Sequence, residues 1–295
     1  MHWRGFVKSN AGLTSLTGPL IFFTMKSKKV LCPLLVGLFS SLVSLAQFTP
    51  EELARRPQWE DFLSTAKIIK SERIGEGVSK PRKLLLKKGD IEASAVWKRP
   101  RGLSAGISDK WEFEVAAYRL DKLLGLGLVP PTVGRRHRMS MGALQLWVPI
   151  PINELRIKDE NLSIPQEKLD NYEKMRSLQR AFDSLIANSD RTLQNLRYTE
   201  DWRMILIDHS RAFRDTFPYL DTLLYGRDGM VPQEFGALPR QFVAAVRSLD
   251  FDLVKEAVGG YLSNSEIKAI LHRKDLFLQE IDDLIKAKGE EAVLY

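Results

Sequence analysis

Asp190 and Asn195 stand five residues apart, and Asp208 lies 18 beyond Asp190, at the end of the apolar run Ile205-Leu206-Ile207. Carboxylates and carboxamides are hard oxygen donors. Mg²⁺ typically takes one or two carboxylates and completes its shell with phosphate oxygens. In an Asp-x-x-x-x-Asn spacing followed by a hairpin and a further Asp, Asn195 and Asp208 are the expected metal ligands. Asp190 is then placed to accept or orient the proton of an attacking hydroxyl. The chemistry would be phosphoryl transfer from ATP with Mg²⁺ or Mn²⁺. Lys98 ends a stretch that is apolar or small at Ala93, Ala95, Val96 and Trp97, from which it could reach the α- and β-phosphates. Glu114, 16 residues on, could hold that lysine through an ion pair. Gly75 and Gly77 would let backbone amides approach phosphates. Each residue also has an ordinary reading: loop acids, a solvated strand-end lysine, a surface helix glutamate, turn glycines.

The elements that must position these residues follow from periodicity. Residues 51–66 read as a short amphipathic helix with Thr49 as N-cap and Pro50 at its first position. Residues 68–73, 83–88 and 92–98 read as three strands. Gly75-Glu76-Gly77 joins the first pair and Gly89-Asp90 the second. Asp109 is expected to cap a helix over about 110–124 whose apolar face carries Phe113, Ala116, Ala117, Leu120 and Leu124, with Gly125 ending it. A hairpin over 132–138 and 143–148 follows, and Pro149 and Pro151 mark a boundary. Beyond it, helices are expected at 166–187, at 239–258 with a break, and at 263–287, interrupted by a short hairpin of 196–198 with 204–207. The expected fold class is α+β: a small β-rich lobe over 68–148 with one helix, a helical extension over 47–67 before it, and a larger helical lobe over 149–295. Clefts between lobes hold small ligands. Val148 and Ile150, at the junction, are the expected contacts for adenine, through their main chain.

The first 46 residues read differently. Arg4, Lys8, Lys26, Lys28 and Lys29 are their charged residues, and no acid accompanies them. The next 21 residues, 30–50, are uncharged and include the run Val30–Phe39; Ser44 and Ala46 then supply small residues before Gln47. Basic, apolar and small segments in that order are expected for a secretory signal peptide, with Met25 as the true start and cleavage near Ala46/Gln47. The alternative is an uncleaved membrane anchor. Either way the remainder is expected outside the cytoplasm, secreted or periplasmic, since the lysines stay inside.

Of the 295 residues, 27% are charged and 44% hydrophobic, which excludes wholesale disorder and a polytopic membrane protein. The net charge of +7 falls to +2 once the five basic residues of the first 46 are set aside. A nucleic-acid partner is therefore not expected. The lone Cys32 permits no internal disulfide, and three scattered histidines beyond residue 46 make no zinc site.

Two longer stretches carry a family likeness. Glu114-Val115-Ala116-Ala117-Tyr118-Arg119-Leu120-Asp121-Lys122-Leu123-Leu124-Gly125, continuing to Val129-Pro130-Pro131-Thr132-Val133-Gly134-Arg135, resembles the αC segment of the secreted Golgi casein-kinase and Four-jointed family. Phe182–Arg191 resembles the same family's approach to its catalytic loop. The wider Asn-x-Asp-Arg…Asn…Asp layout is similar to bacterial HipA-like and phosphatidylinositol 3-/4-kinase-like proteins. The likeness covers roughly residues 68–290. It implies a two-lobed atypical protein-kinase-like fold, Lys98 and Glu114 as the ion pair, Asp190 in catalysis, and Asn195 and Asp208 on metal. It also implies ATP and a hydroxyl-bearing acceptor (protein, glycan or lipid) as partners. Thr192 stands where the family usually has His, and His209-Ser210 where ordinary protein kinases have Phe-Gly.

Two other functions compete. One is a catalytically inactive nucleotide-binding scaffold. The other is a secreted serine hydrolase: Gly102-Leu103-Ser104-Ala105-Gly106 matches the G-x-S-x-G elbow, and Asp190 or Asp208 with His272 would complete the order of a triad. Against the hydrolase, Pro100 separates the strand from Ser104, and the alternating βα units such a fold needs are missing. Trp111, Phe113 and Trp147 are expected in the core, Phe217, Tyr219 and Tyr225 in the packing of the helical lobe, and Arg135-Arg136-His137-Arg138 on a solvated hairpin edge.

Overall fold

The computed structural model describes residues 48–75, 81–104 and 107–295. The first 46 residues, on which the signal-peptide reading rests, and Gly77 of the expected phosphate loop lie outside them. Among the described residues no helix is long and apolar enough to cross a membrane.

Thr49 opens the first helix, α1 (Pro50–Ala54), through a capping box. Its hydroxyl accepts from the Glu52 amide at 3.3 Å and its own amide donates to the Glu52 carboxylate at 2.8 Å. The expected single helix is two, because Pro57 has no amide hydrogen to continue the ladder. The chain kinks at Arg55 and restarts as α2 (Arg56–Thr65). Strands β1 (Lys67–Arg73), β2 (Arg82–Lys88) and β3 (Ile91–Lys98) then run antiparallel. Gly89 takes a left-handed φ of 59° in the turn between the last two.

The segment expected to lead straight into a helix instead forms a second hairpin, β4 (Arg101–Ser104) with β5 (Ile107–Lys110). Asp109 therefore lies in a strand and does not cap the helix. The N-cap of α3 (Trp111–Leu123) is Lys110, with no side-chain hydrogen bond. The Lys110 amide donates to Ser210 O at 2.8 Å and the Trp111 amide to Pro100 O at 3.1 Å. The same hairpin removes the nucleophile elbow: Ser104 pairs across to Ile107, whereas an elbow turns from strand into helix. His272 lies 3.9 Å from Asp221.

Strands β6 (Thr132–His137) and β7 (Ser140–Leu146) complete a five-stranded sheet of order β1-β2-β3-β7-β6. Side chains alternate faces along a strand. Leu84, Leu86, Ala95, Leu144 and Leu146 point to one face and meet Phe62 and Leu63 of α2. Val96 and Lys98 have the opposite parity. Gly142 is needed beside Lys98, since a Cβ there would lie 2.6 Å from the Lys98 carbonyl oxygen.

Past the Pro-marked linker come β8 (Ile152–Asn153) and α4 (Glu154–Asp159), neither foreseen, then α5 (Leu169–Leu185). The expected hairpin is β9 (Leu196–Tyr198) with β10 (Met204–Leu206), and β8 adds a third strand to it. A two-residue parallel pair, β11 (Tyr225–Gly226) and β12 (Val231–Pro232), precedes α6 (Arg240–Arg247), α7 (Phe251–Val258), α8 (Asn264–Lys288) and α9 (Glu290–Val293). Asp250 caps α7, and a Ser263/Glu266 capping box opens α8. One apolar cluster joins α3, α5, α6, α7 and α8.

Three expectations about surface and core are corrected. Trp147 is exposed, with the Lys83 ammonium 4.2 Å from its ring centroid, and Phe217 is 78% exposed. Arg135 is not solvated, since its guanidinium donates to Leu63 O and Ala66 O at the end of α2.

The two N-terminal helices brace the back of the molecule. Arg56 donates to the fully buried Asp121 at 2.7 Å, and Asp121 also accepts from the amides of Leu128 (2.7 Å) and Val129 (3.1 Å). Glu60 accepts from Tyr118 at 2.6 Å and Lys122 at 2.7 Å, and Glu52 from Arg203 at 2.6 Å. Removing one partner of a buried, hydrogen-bonded ion pair costs about 3–5 kcal/mol. Asp121→Ala is expected to lower the thermal midpoint by about 10 °C, read by circular dichroism, with a smaller fall for Glu52→Ala on its more exposed pair.

Candidate active site

Lys98 is presented by the last position of β3. Its Nζ lies 2.9 Å from Glu114 Oε1 and 3.5 Å from Asp208 Oδ1. Glu114, in the first turn of α3, is 1% exposed. Its second oxygen, Oε2, accepts from the main-chain amide of His209 at 3.2 Å. One carboxylate thus holds the lysine of one lobe and the main chain beside Asp208 of the other. Burial alone would lower the Lys98 pKa, but the charges of Asp208 and Glu114 outweigh it and raise it. Burial likewise opposes ionisation of Glu114, and Lys98 with His209 overcomes it and holds the carboxyl low.

Asp208 lies two residues past the end of β10, with a left-handed φ of 65°. Asp tolerates that region better than most residues. The turn breaks the line of the strand at the residue whose carboxylate, 43% exposed, meets Lys98. His209 behind it is fully buried, its ring edge-on to Phe182 at 6.3 Å between centroids, and burial lowers its pKa. The segment continues under restraint: Arg211 lies 3.2 Å from Asp190 and 3.7 Å from Asp109. Asp109, expected as a helix cap, therefore faces this site instead.

The loop carrying Asp190 and Asn195 is fixed by a pair that sequence reasoning did not single out. Arg191 forms a bidentate contact with the fully buried Asp183 of α5, Nε to Oδ2 at 2.9 Å and Nη2 to Oδ1 at 2.8 Å. Its Nη1 donates to Ile207 O at 2.6 Å and reaches Asn195 O at 3.4 Å. One guanidinium thus ties α5, the loop and the residue before Asp208. Asp183 also accepts from Asn188 Nδ2 at 3.1 Å. The available signal was an acid inside the run Ala181-Phe182-Asp183-Ser184-Leu185, where every neighbour is buried. A second such residue is Arg273 of α8. It is fully buried and donates to the carbonyls of Leu185 (2.9 Å), Arg214 (2.8 Å) and Tyr219 (3.1 Å), and burial lowers its pKa to about 10.

The structure therefore brings Lys98, Glu114 and Asp208 into direct contact. It sets Asp190 at the same site through Arg211, and Asn195 through its main chain. Val148 is buried in an apolar cluster with Phe48 and Ile205, against which Ile150 packs. Among the described residues the main-chain groups of Val148 and Ile150 make no hydrogen bond. Gly75 ends the described part of the β1–β2 connection, and a Cβ there would meet nothing within 4 Å.

No protein-family model matches the sequence, and no curated protein matches it. Solved structures do. The crystal structure of the Golgi casein kinase superposes with a TM-score of 0.60 at 15% identity, covering 85% of this chain and 80% of that one. The same kinase with Mn and ADP bound gives the same values. The Helicobacter pylori proinflammatory kinase CtkA superposes with a TM-score of 0.51 at 12% identity, covering 78% of this chain and 97% of that one. The chain has an atypical-kinase fold. The β-sheet lobe and helical lobe expected from the sequence are those of these structures.

The buried pair is open to a double-mutant cycle. Lys98→Met and Glu114→Leu each strand a partner and are expected to cost about 3–5 kcal/mol. The double variant is expected to cost at least about 1 kcal/mol less than the sum, measured by denaturant unfolding. Strict additivity would show that the contact carries no coupling.

Proposed function

We propose that the chain is a metal-dependent phosphotransferase that moves the γ-phosphoryl group of ATP to a hydroxyl of a protein, glycan or lipid acceptor. The observation that carries this reading is the meeting of Lys98 with Glu114 and with Asp208, residues 16 and 110 positions away in sequence. A lysine that contacts both a buried helix carboxylate and an Asp just past a strand is what a phosphate-and-metal site of this fold requires. The bound Mn and ADP of the Golgi casein kinase structure support the nucleotide and the metal.

The donor set fits the ion. Among the described residues no three His, Cys, Asp or Glu side chains gather as a closed metal cluster. One carboxylate from Asp208 and one amide oxygen from Asn195 leave most coordination positions to phosphate oxygens and water, as Mg²⁺ and Mn²⁺ sites of this kind do. Asp208 and Asn195 would hold the metal, which would offset the negative charge of the phosphates.

The chain's own groups supply the rest. Lys98, kept protonated by its two carboxylates, binds phosphate oxygens, and Glu114 sets its direction. The main chain of Val148 and Ile150 meets the adenine, and Gly75 and Gly77 admit the phosphates. Asp190, oriented by Arg211, takes the proton of the acceptor hydroxyl as its oxygen bonds to the γ-phosphorus. The bond from that phosphorus to the β,γ-bridging oxygen breaks, and ADP leaves. The order of basic, apolar and small residues in the first 46 positions supports a reading in which this activity lies outside the cytoplasm, either free after cleavage or tethered by an uncleaved anchor.

Nucleotide at about 100 times its dissociation constant stabilises a protein by roughly 2.7 kcal/mol, here a midpoint rise of roughly 5–10 °C. That rise is expected with ATP and Mg²⁺ or Mn²⁺ and not with EDTA, and it is lost in Asp208→Ala. Asp190→Ala is expected to keep the rise while phosphate transfer to acceptors falls by about 10²–10⁴. A metal-dependent rise without turnover in the parent chain would instead make it a nucleotide-binding scaffold.

A further inference from the structure

The loop end of the small-lobe sheet carries a feature that nucleotide chemistry does not use. Arg99 and Arg101, at the β3–β4 junction, and Arg136, near the end of β6, line a pocket of about 290 Å³ with Trp111, Met139 and Met141. All three arginines are exposed. None forms an ion pair or a side-chain hydrogen bond among the described residues. The one carboxylate on the lining is Glu112, so the pocket carries three cations against one anion. By contrast, Arg56, Arg191, Arg203, Arg211, Arg227, Arg240 and Arg247 each face an acid.

Apolar side chains stand around these charges. Leu103, two residues beyond Arg101 on the same face of β4, is 78% exposed, Met139 is 91% exposed and Met141 39%. Met139 shares the tip of the β6–β7 hairpin with Arg138, and both take left-handed φ values, 64° and 47°. Two-residue turns of this kind favour Asn and Gly. A long apolar and a long cationic side chain are kept there at a conformational cost.

We propose that this face docks on an anionic lipid surface, with the arginines on headgroup phosphates and Leu103 and Met139 entering the headgroup–acyl boundary. A soluble anion would use the arginines and leave the two proud apolar side chains in water. A lipid surface uses both, as interfacial segments combine buried apolar area with attraction to anionic headgroups. The proposal is independent of the phosphotransferase reading.

The test must separate this face from the N-terminal apolar segment, which would bind vesicles by itself. The full chain carrying Cys32→Ser and Met139→Cys, labelled at 139 with an environment-sensitive fluorophore, is titrated with phosphatidylcholine vesicles with and without phosphatidylserine. A blue shift and intensity rise are expected on the phosphatidylserine vesicles alone, weakening as salt is added. The same label at Glu291→Cys, on the helical lobe, is expected to stay silent. Replacing Arg99, Arg101 and Arg136 with Glu is expected to lower the partition reported at 139 by at least about a hundredfold, from roughly a fivefold effect per basic residue near such a surface. These substitutions fall on exposed side chains, and an unchanged circular dichroism spectrum checks the fold. A silent label at 139 on anionic vesicles overturns the proposal. So does an equal response to neutral vesicles, or one that survives the three substitutions. A response to soluble polyglutamate but not to vesicles assigns the face to an acidic protein instead.

Discussion

The site is organised around one buried carboxylate. Glu114 cannot remain charged where it lies unless both oxygens are satisfied, and its two partners belong to different parts of the chain: the Lys98 ammonium at 2.9 Å and the His209 amide at 3.2 Å. Satisfying it fixes the helix that carries it, the end of β3 and the turn that presents Asp208. The alternative, a neutral Glu114 with an unpaired lysine, is disfavoured by the same desolvation. Other details serve this contact. Gly142 lets β7 pass close to Lys98, and the Lys110 amide donates to Ser210 O, which ties the start of α3 to the same turn.

A second buried pair plays the corresponding part in the large lobe. Asp183 and Arg191 are eight residues apart, and their bidentate contact turns the chain sharply after α5. The spare guanidinium nitrogen spans to the carbonyls on either side of the β9–β10 hairpin, at Asn195 and Ile207. Asn195 and Asp208 are thereby referred to one rigid plane, although neither side chain touches Arg191. In the proposed metal-binding role of these two residues, Arg191 would be a support outside the ligand set, of a kind whose mutation lowers metal affinity.

Much of this was readable beforehand because it rests on local patterns. Period-two alternation gave β2 and β3 within a residue or two, the αC-type helix declared itself through Phe113, Ala116, Ala117 and Leu120, and Gly125 with its φ of 69° ended it. The failures share a cause, since each depends on a partner far away in sequence. The β4–β5 hairpin breaks no local rule that would forbid a helix cap at Asp109, and only its pairing decides. Trp147 and Phe217 have core composition but lie where no second layer covers them. Arg135 looked solvated because the helix end it caps is about 70 residues earlier. Asp183 and Arg273 were invisible as structural keystones, since a buried charge announces itself only when the shell around it is known.

The brace of α1 and α2 bears on how the chain comes to be folded. These helices have their partners in Asp121, 65 residues after Arg56, and in Arg203, 151 residues after Glu52. Most domains can begin consolidating from the amino end during synthesis. Here α1 must wait until the β9–β10 hairpin exists before its contact with Arg203 can form. Contacts of such sequence separation carry a loop-closure cost that slows folding. The fold's first helix is thus completed only by a hairpin some 150 residues behind it, so a nascent chain cannot close this brace until most of its length has been made.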